Sequence, residues 1–384
     1  MEVLLGAIVK SLFILIVMVA GLAPVITWIE RKQSAVMQDR IGANRADVGG
    51  ITMLGLLHPL ADVVKLLSKE DVVPYGANRI MHLVSPIIAA IPAVIAFAVI
   101  PFGGVYDWDG VTVSLVASNP DWGLLYIFAI GSIAMYGTVM AGWSSNNNWS
   151  LLGGLRASAQ MISYEVTMGL SVVGVFMVFE TLQLQNMAVA QDGTFRLLGF
   201  MEVLFDVPVP AFLDWLRLPS WGVFYQPLGF LMFLTTIMAE NKRPPFDTPE
   251  GESEIIAGYH LEYSGMRFGL FFMAEFIEVL VIAGLMTTIF LGGWSVPYLS
   301  TETIIGAIAP VFGDGFATGV CVILHFLTFM LKVVFMIWLQ MALRWTLPRF
   351  RYDQVMDLCW KIILPLSIVN VFVTGFFLLL AKGA

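Results

Sequence analysis

Apolar positions dominate the chain in long runs that short polar stretches separate. A helix that crosses a bilayer needs about 20 apolar residues. Eight runs meet that length, at roughly 3–29, 81–101, 123–143, 158–180, 221–240, 268–291, 317–343 and 360–381. The pattern predicts an all-α polytopic membrane protein, with 1–384 as a single membrane domain. Only the stretch 52-TMLGLLHPLADVVKLLSKED-71 has a different period. There Leu54, Leu57, Ala61, Val64 and Leu67 recur at three- and four-residue spacing, with Asp62, Lys65, Lys69 and Glu70 on other faces. That spacing predicts an amphipathic helix lying along the membrane or against the bundle. The stretch 202–221 is expected to carry a short interfacial helix.

Composition agrees with the runs. The chain has 384 residues, of which 58% are hydrophobic and 12% charged; a soluble domain is about one-quarter charged. The first charge is Glu2 and the first apolar run far exceeds a secretory h-region, so it reads as a retained spanning helix. The net charge of −8 argues against nucleic acid, whose phosphates want a basic surface. Cys321 and Cys359 are the two cysteines, and His58, His82, His260 and His325 form no paired motif. Neither set has the spacing of a metal or iron–sulfur site. No bound metal or flavin is expected in this chain.

Charge also orients the bundle. Of the 20 Lys and Arg residues, 15 fall in loops one, three, five and seven. Arg196, Arg217 and Lys382 fall on the other side, and Lys10 and Lys332 inside spans. The bias predicts that these four loops are cytoplasmic and that both termini lie outside.

The informative residues are those that oppose the apolar pattern. A carboxylate at the centre of a bilayer costs roughly 2.5–3.5 kcal/mol. Glu165 lies in 161-MISYEVTMG-169, Glu240 ends the fifth run, and Glu275 and Glu278 sit one turn apart in 271-FFMAEFIEV-279. Lys332 is the basic group deep in the later spans. A single such residue is commonly satisfied by hydrogen bonds. Four acids toward the same side, next to an acidic loop, point to a path for protons, although a path for ions has the same signature.

That loop is 240-ENKRPPFDTPEGESE-254. Asp247, Glu250, Glu252 and Glu254 follow Pro244 and Pro245, with Pro249 among them. Prolines fix local shape, so the loop reads as ordered against something and not as a solvated turn. In 30-ERKQSAVMQDRIGANR-45, Glu30, Arg31, Asp39 and Arg40 form a second charged stretch. Its arginines could hold a carboxylate or a polar head group.

Together, ERKQSAVMQDRIGANR and AENKRPPFDTPEGESEIIAGYHLEYSGMRFGLFFMAEF resemble the signature stretches of the H subunits of bacterial NADH-quinone oxidoreductase, the family called subunit 1 in mitochondrial respiratory complex I. The likeness extends over the whole chain, including the Ser163–Glu165 element and the amphipathic helix ending in SKED. One departure is Ala43, where the family commonly has proline; it loosens the backbone after Gly42 and leaves the charges intact. The resemblance implies a position at the joint of the membrane and hydrophilic arms, with partners from both. It implies ubiquinone as substrate, with flavin and iron–sulfur clusters in partner subunits, and a bacterial inner membrane location. Carried over by position, it places Glu30, Arg31, Arg40, Asp62, Asp247, Glu250, Glu252 and Glu254 at the quinone chamber and arm interface. Glu165, Glu240 and Glu275 match acids of the family's intramembrane proton path; spacing alone adds Glu278, and Lys332 is grouped with them. Two other readings share these features: an anchor subunit of a related membrane-bound hydrogenase, and a free-standing ion-coupled transporter.

Overall fold

In hydrocarbon every backbone N–H and C=O must find its partner within the protein, so a chain this apolar folds as helices. The structure is a computed structural model that describes residues 2–108, 111–196 and 217–383. Helix α1 runs through Glu2–Phe13, Ile14–Leu22 and Ala23–Met37. It is followed by α2 (His58–Ser68), α3 (Arg79–Ala96), α4 (Gly123–Ser144), α5 (Asn148–Phe179) and α6 (Leu184–Ala190). Then come α7 (Pro227–Glu240), α8 (Gly265–Phe290), α9 (Thr301–Phe312), α10 (Asp314–Thr346) and α11, which runs Tyr352–Asp357, Leu358–Ile363 and Leu364–Gly383. Two short two-stranded antiparallel sheets pair β1 (Val105–Trp108) with β2 (Val111–Ser114), and β3 (Thr194–Arg196) with β4 (Arg217–Pro219).

Among the described residues, seven helices are long and apolar enough to cross a membrane: α1, α3, α4, α5, α8, α10 and α11. The eighth run, 221–240, is divided. A short turn, Gly222–Tyr225, precedes the 14-residue α7. Gln226 separates them with φ −133° and ψ 61°. Its buried amide bonds Thr374 Oγ1 at 2.8 Å and Asn370 Nδ2 at 3.0 Å. The Gln226 backbone still donates to Gly222 O at 2.8 Å and accepts from the Phe230 N–H at 2.9 Å, so the side-chain bonds add to the helical ones. Of the stretch 202–221, expected to carry a short interfacial helix, residues 202–216 lie outside the described residues and Arg217–Pro219 form β4.

Local sequence accounts for helix ends and irregularities. Asn78 and Asn147 cap α3 and α5 by accepting from the N–H of Met81 and Trp149, each satisfying an orphan donor of the first turn. The wide π turns Ile14–Leu22 and Leu358–Ile363 each end two residues before a proline, Pro24 and Pro365. Proline removes a ladder donor and crowds the preceding turn, which a wider turn relieves.

Helix α8 is the core of the bundle. Every residue from Val279 to Phe290 is buried, and α3, α10, α1 and α2 pack around it. Helix α4 packs on α3 and α5, and α5 packs on α7 and α11. At Gly137 the α4 backbone comes so close to α3 that a β-carbon would lie 2.6 Å from the Ala89 amide nitrogen. The outer helices leave apolar rows exposed, among them Ile16, Leu331, Phe372 and Leu379. On α2 the residues Leu60, Val64 and Leu67 are likewise exposed, opposite Pro59, which is buried.

Candidate functional site

The segment between α7 and α8 is held from several directions. Phe246 packs between Tyr164 of α5 and Phe350, at ring distances of 5.7 and 5.6 Å. The Phe350 amide donates to Pro245 O at 3.0 Å. Gln160 of α5 donates to Ala239 O and to Phe246 O, each at 2.7 Å. Gly258 has φ +61°, and a β-carbon there would lie 1.8 Å from Pro249 O. Hydrophobic wedge, hydrogen bonds and glycine together order the acidic stretch.

Within this frame the charges are paired. Glu30 of α1 is 8% exposed. It accepts from Arg243 at 2.8 Å and also from Arg344 of α10. Burial works against the Arg243 cation, yet Glu30 and then Glu275 hold its pKa above the ordinary value. The Arg243 guanidinium also stacks on Phe276, 4.3 Å from the ring centroid, a cation–π contact.

Asp247 is 5% exposed and accepts from Arg349 at 2.6 Å, while its Oδ1 has no protein partner. Burial pushes its pKa up to about 6; Arg349 opposes the shift and Glu275 adds to it. Glu250 is raised well above the usual carboxylate range by burial, then by the charges of Glu275 and Asp247 and by its hydrogen bond with Glu275. His260 Nδ1 lies 3.7 Å from Glu250, and burial lowers its pKa against the pull of Glu275. The Tyr259 hydroxyl donates to Glu275 at 3.1 Å. Burial and then Glu275 keep that phenol protonated. The loop end thus holds two carboxyl groups, an imidazole and a phenol in mutual contact.

One turn further along α8, Glu278 faces a cavity of about 50 Å³ that Glu165 and Glu240 also line. Its other walls are apolar, including Ala89, Ile127, Phe128 and Met168. Glu165 accepts from Ser132 at 2.5 Å, and Glu240 Oε2 has no protein partner. A space of this size is large enough for water, and the three carboxyl groups are the polar partners it would use. A protonated carboxyl both donates and accepts, so acids linked directly or through water can relay a proton.

The remaining expected residues are placed apart from this array. Arg31 pairs with Asp62 of α2 at 2.5 Å, each side chain more than one-third exposed. Arg40 is exposed and bonds Gln38 at 2.7 Å. Glu254 pairs with Arg156 at 2.7 Å. Glu252 opens a short helical turn, Glu252–Ile255, and its side chain lies outside the described residues. Lys332 is far from the other candidates. It donates to the carbonyls of Leu291, Gly293 and Ser295 at 2.7, 3.0 and 2.7 Å and lies over Trp221. These bonds use all three ammonium protons at the C-terminal end of α8. That end is about 24 Å from Glu275 at 1.5 Å per residue.

Sequence pattern marks Arg243, Arg344 and Arg349 as topological charge only and passes over Tyr259, His260, Gln160 and Ser132. One signal exists for Arg243: it is a cation directly before two prolines at the head of an acidic loop.

A family model described as NADH dehydrogenase matches residues 9–375. The chain is 40% identical over 385 residues to an NADH-quinone oxidoreductase H subunit of Bdellovibrio bacteriovorus, covering 97% of this chain and 96% of that one. It is 42% identical over 354 residues to an H subunit, numbered 1, of the same enzyme in Cytophaga hutchinsonii, with 92% and 91% covered. It is also 42% identical over 362 residues to the H subunit numbered 1 in Geobacter metallireducens, with 94% and 93% covered.

Proposed function

We propose, for a chain that belongs to the family of NADH-quinone oxidoreductase H subunits, that it forms the quinone-access chamber of that enzyme and couples quinone reduction to proton translocation. Family membership makes it a membrane subunit of complex I, with other complex I subunits as partners. The observation that carries the finer reading is the run of carboxyl groups from the ordered loop into the bundle. Asp247 and Glu250 sit beside Glu275; Glu278 follows one turn later; Glu240 and Glu165 share its cavity.

Quinone reduction to quinol takes up two electrons and two protons. In the proposed mechanism, ubiquinone enters from the bilayer near α1 and α2, where Arg31 and Asp62 pair beside exposed leucines. Its head group reaches the loop that carries Asp247, Glu250, Glu252 and Glu254. A charge change there shifts the proton shared by Glu250 and Glu275. The shift passes to Glu278, Glu240 and Glu165, and onward to neighbouring membrane subunits. Glu30, Arg243 and Arg344 hold α1, the loop and α10 in register. Arg40 faces outward toward a partner in the hydrophilic arm. Lys332 anchors the far end of α8.

The proposed setting is a bacterial inner membrane, with the acidic loop on the cytoplasmic side and both termini outside. Helix α7 and its preceding turn then complete eight spans within one membrane domain. No observation favours a hydrogenase anchor or a free-standing transporter.

The test is proton translocation per electron in native membranes carrying Glu165→Gln or Glu275→Gln. NADH oxidation by a water-soluble artificial acceptor reports assembly. The expected result is retained acceptor activity with pumping or quinone-linked turnover strongly reduced. Wild-type pumping in both variants would refute the route.

A further inference from the structure

Gln160 is completely buried on α5, one turn before Tyr164 and five residues before Glu165. Its amide makes three hydrogen bonds, all to one neighbouring segment. Nε2 donates to Ala239 O and Phe246 O, each at 2.7 Å, and Oε1 accepts from the Thr248 hydroxyl. The orientation of the amide is fixed by its partners. Two carbonyls can be faced only by the NH2 group, and a hydroxyl donor only by the oxygen.

The three partners bracket the start of the acidic loop. Ala239 precedes Glu240, whose carboxyl faces the cavity; Phe246 and Thr248 flank Asp247. A single side chain of the Glu165 helix therefore grips both Glu240 and Asp247 through their chain neighbours. Buried polar groups without partners are destabilising, and each of these bonds is shielded from water. Any displacement of residues 246–248 must pull on α5 and on the end of α7 at the same time.

We infer that Gln160 is a positioning residue that transmits movement of the acidic loop to the cavity of Glu165, Glu240 and Glu278. The inference rests on the coupling role proposed above. Gln160 neither carries a proton nor contacts a substrate. It keeps Glu165 and Glu240 in register with Asp247, so that a change at the loop alters the cavity and not merely the loop.

Glutamate at this position gives a test that a passive packing role does not meet. A protonated glutamic acid side chain there still offers one O–H to the two carbonyls and an oxygen to Thr248. The carboxylate offers no donor and repels both carbonyls. Ionisable groups around the position are Arg156 with its partner Glu254, Tyr164 and Glu165 on α5, Glu240 on α7, and Asp247 with its partner Arg349 in the loop. They titrate in wild type too, so the quantity to measure is the variant-to-wild-type ratio at each pH.

In native membranes, Q160E, Q160L and T248V are compared with wild type between pH 5.5 and 8. The measurements are proton translocation per electron and quinone-linked NADH oxidation, with artificial-acceptor activity as the assembly control. Q160L, which unmakes all three bonds, is expected to fall more than tenfold in coupled activity at all pH values, tenfold being about the scale of one unmade buried hydrogen bond. Q160E is expected to approach wild type at acidic pH and to fail as pH rises. T248V, which removes a single donor, is expected to lie between wild type and Q160L and serves if the glutamine variants do not assemble.

Wild-type coupling in assembled Q160E and T248V across the range overturns the inference. Loss of coupling in T248V that is equal to its loss of acceptor activity also overturns it, because assembly alone then explains the defect. E165Q and E275Q in the same series separate the two claims. If they abolish pumping while Q160E and T248V do not, only the role of Gln160 fails. If they too pump normally, the coupling route itself fails.

Discussion

Glu30 and Arg243 are 213 residues apart in the chain, and their side chains meet at 2.8 Å with both about nine-tenths buried. Arg344 closes the group from α10. The contact ties the first helix to the head of the acidic loop. Removing Arg243 strips the Glu30 carboxylate of its buried partner and leaves it only the partly exposed Arg344, at a cost below the roughly 3–5 kcal/mol of a wholly uncompensated buried charge. R243M is therefore expected to lower the inactivation temperature of the complex and to expose 241–254 to protease. The double variant E30M/R243M is expected to recover much of that loss, since the apolar pair needs no charge partner and Arg344, about one-quarter exposed, can turn to water. A double variant no more stable than the single one would show that the pair itself, and not the stranded carboxylate, sets the stability.

Asp247 supplies a pH dependence. Its folded-state pKa is raised to about 6, from an unfolded value near 3.9. A raised pKa means that the folded loop binds the proton more tightly than the unfolded one. The stability contributed is complete below about pH 4 and is lost as pH rises through about 6. Hydrogen exchange in 241–254, corrected for intrinsic rates, is expected to speed up across that window. D247N is expected to remove the step. A step of unchanged size in D247N would assign it to another group, with Glu250 the next candidate.

Lys332 separates structural from coupling roles. Its ammonium satisfies three carbonyls beyond the end of α8. K332M leaves these carbonyls without a donor, at a cost of roughly 1–3 kcal/mol for each buried group. The expected outcome is a marked loss of thermal stability with protons per electron unchanged in the protein that remains assembled. A changed pumping ratio in stable K332M membranes would return Lys332 to the proton route.

Much of the fold was legible because a spanning helix writes 20 residues of apolar sequence. Helices α3, α4 and α8 begin and end within a few residues of the runs that predicted them. The fifth run was legible as apolar, and its break at Gln226 falls directly before Pro227, which disfavours helical backbone at the preceding residue; the bonds that the Gln226 side chain makes to Thr374 and Asn370, far along the chain, were not legible. Helix α9 and the β1–β2 hairpin left no signal, being too short to produce a run. The acids stood out because charge inside apolar sequence is costly. Their partners did not: Arg344 meets Glu30 across 314 residues, and in sequence it is one more cation at a helix end. Gln160 was silent for a different reason. An uncharged amide within an apolar helix looks incidental until the three groups it faces are known.

Gly258 gives the last test, of the order in the loop itself. Its φ of +61° lies in the left-handed region, and a β-carbon would approach Pro249 O to 1.8 Å. Alanine there meets both a disfavoured backbone and a backbone clash that no side-chain rotation can relieve. The carbonyl it would displace directly precedes Glu250, and Tyr259, the next residue, bonds Glu275. G258A is therefore expected to disturb the Glu250–Glu275 contact without altering either carboxyl. Assembled complexes should retain artificial-acceptor activity and lose quinone-linked turnover about tenfold or more, the effect of roughly 1.4 kcal/mol on a barrier. G258A with wild-type turnover would show that the Glu250–Glu275 contact tolerates a shifted loop and that its geometry does not limit the reaction.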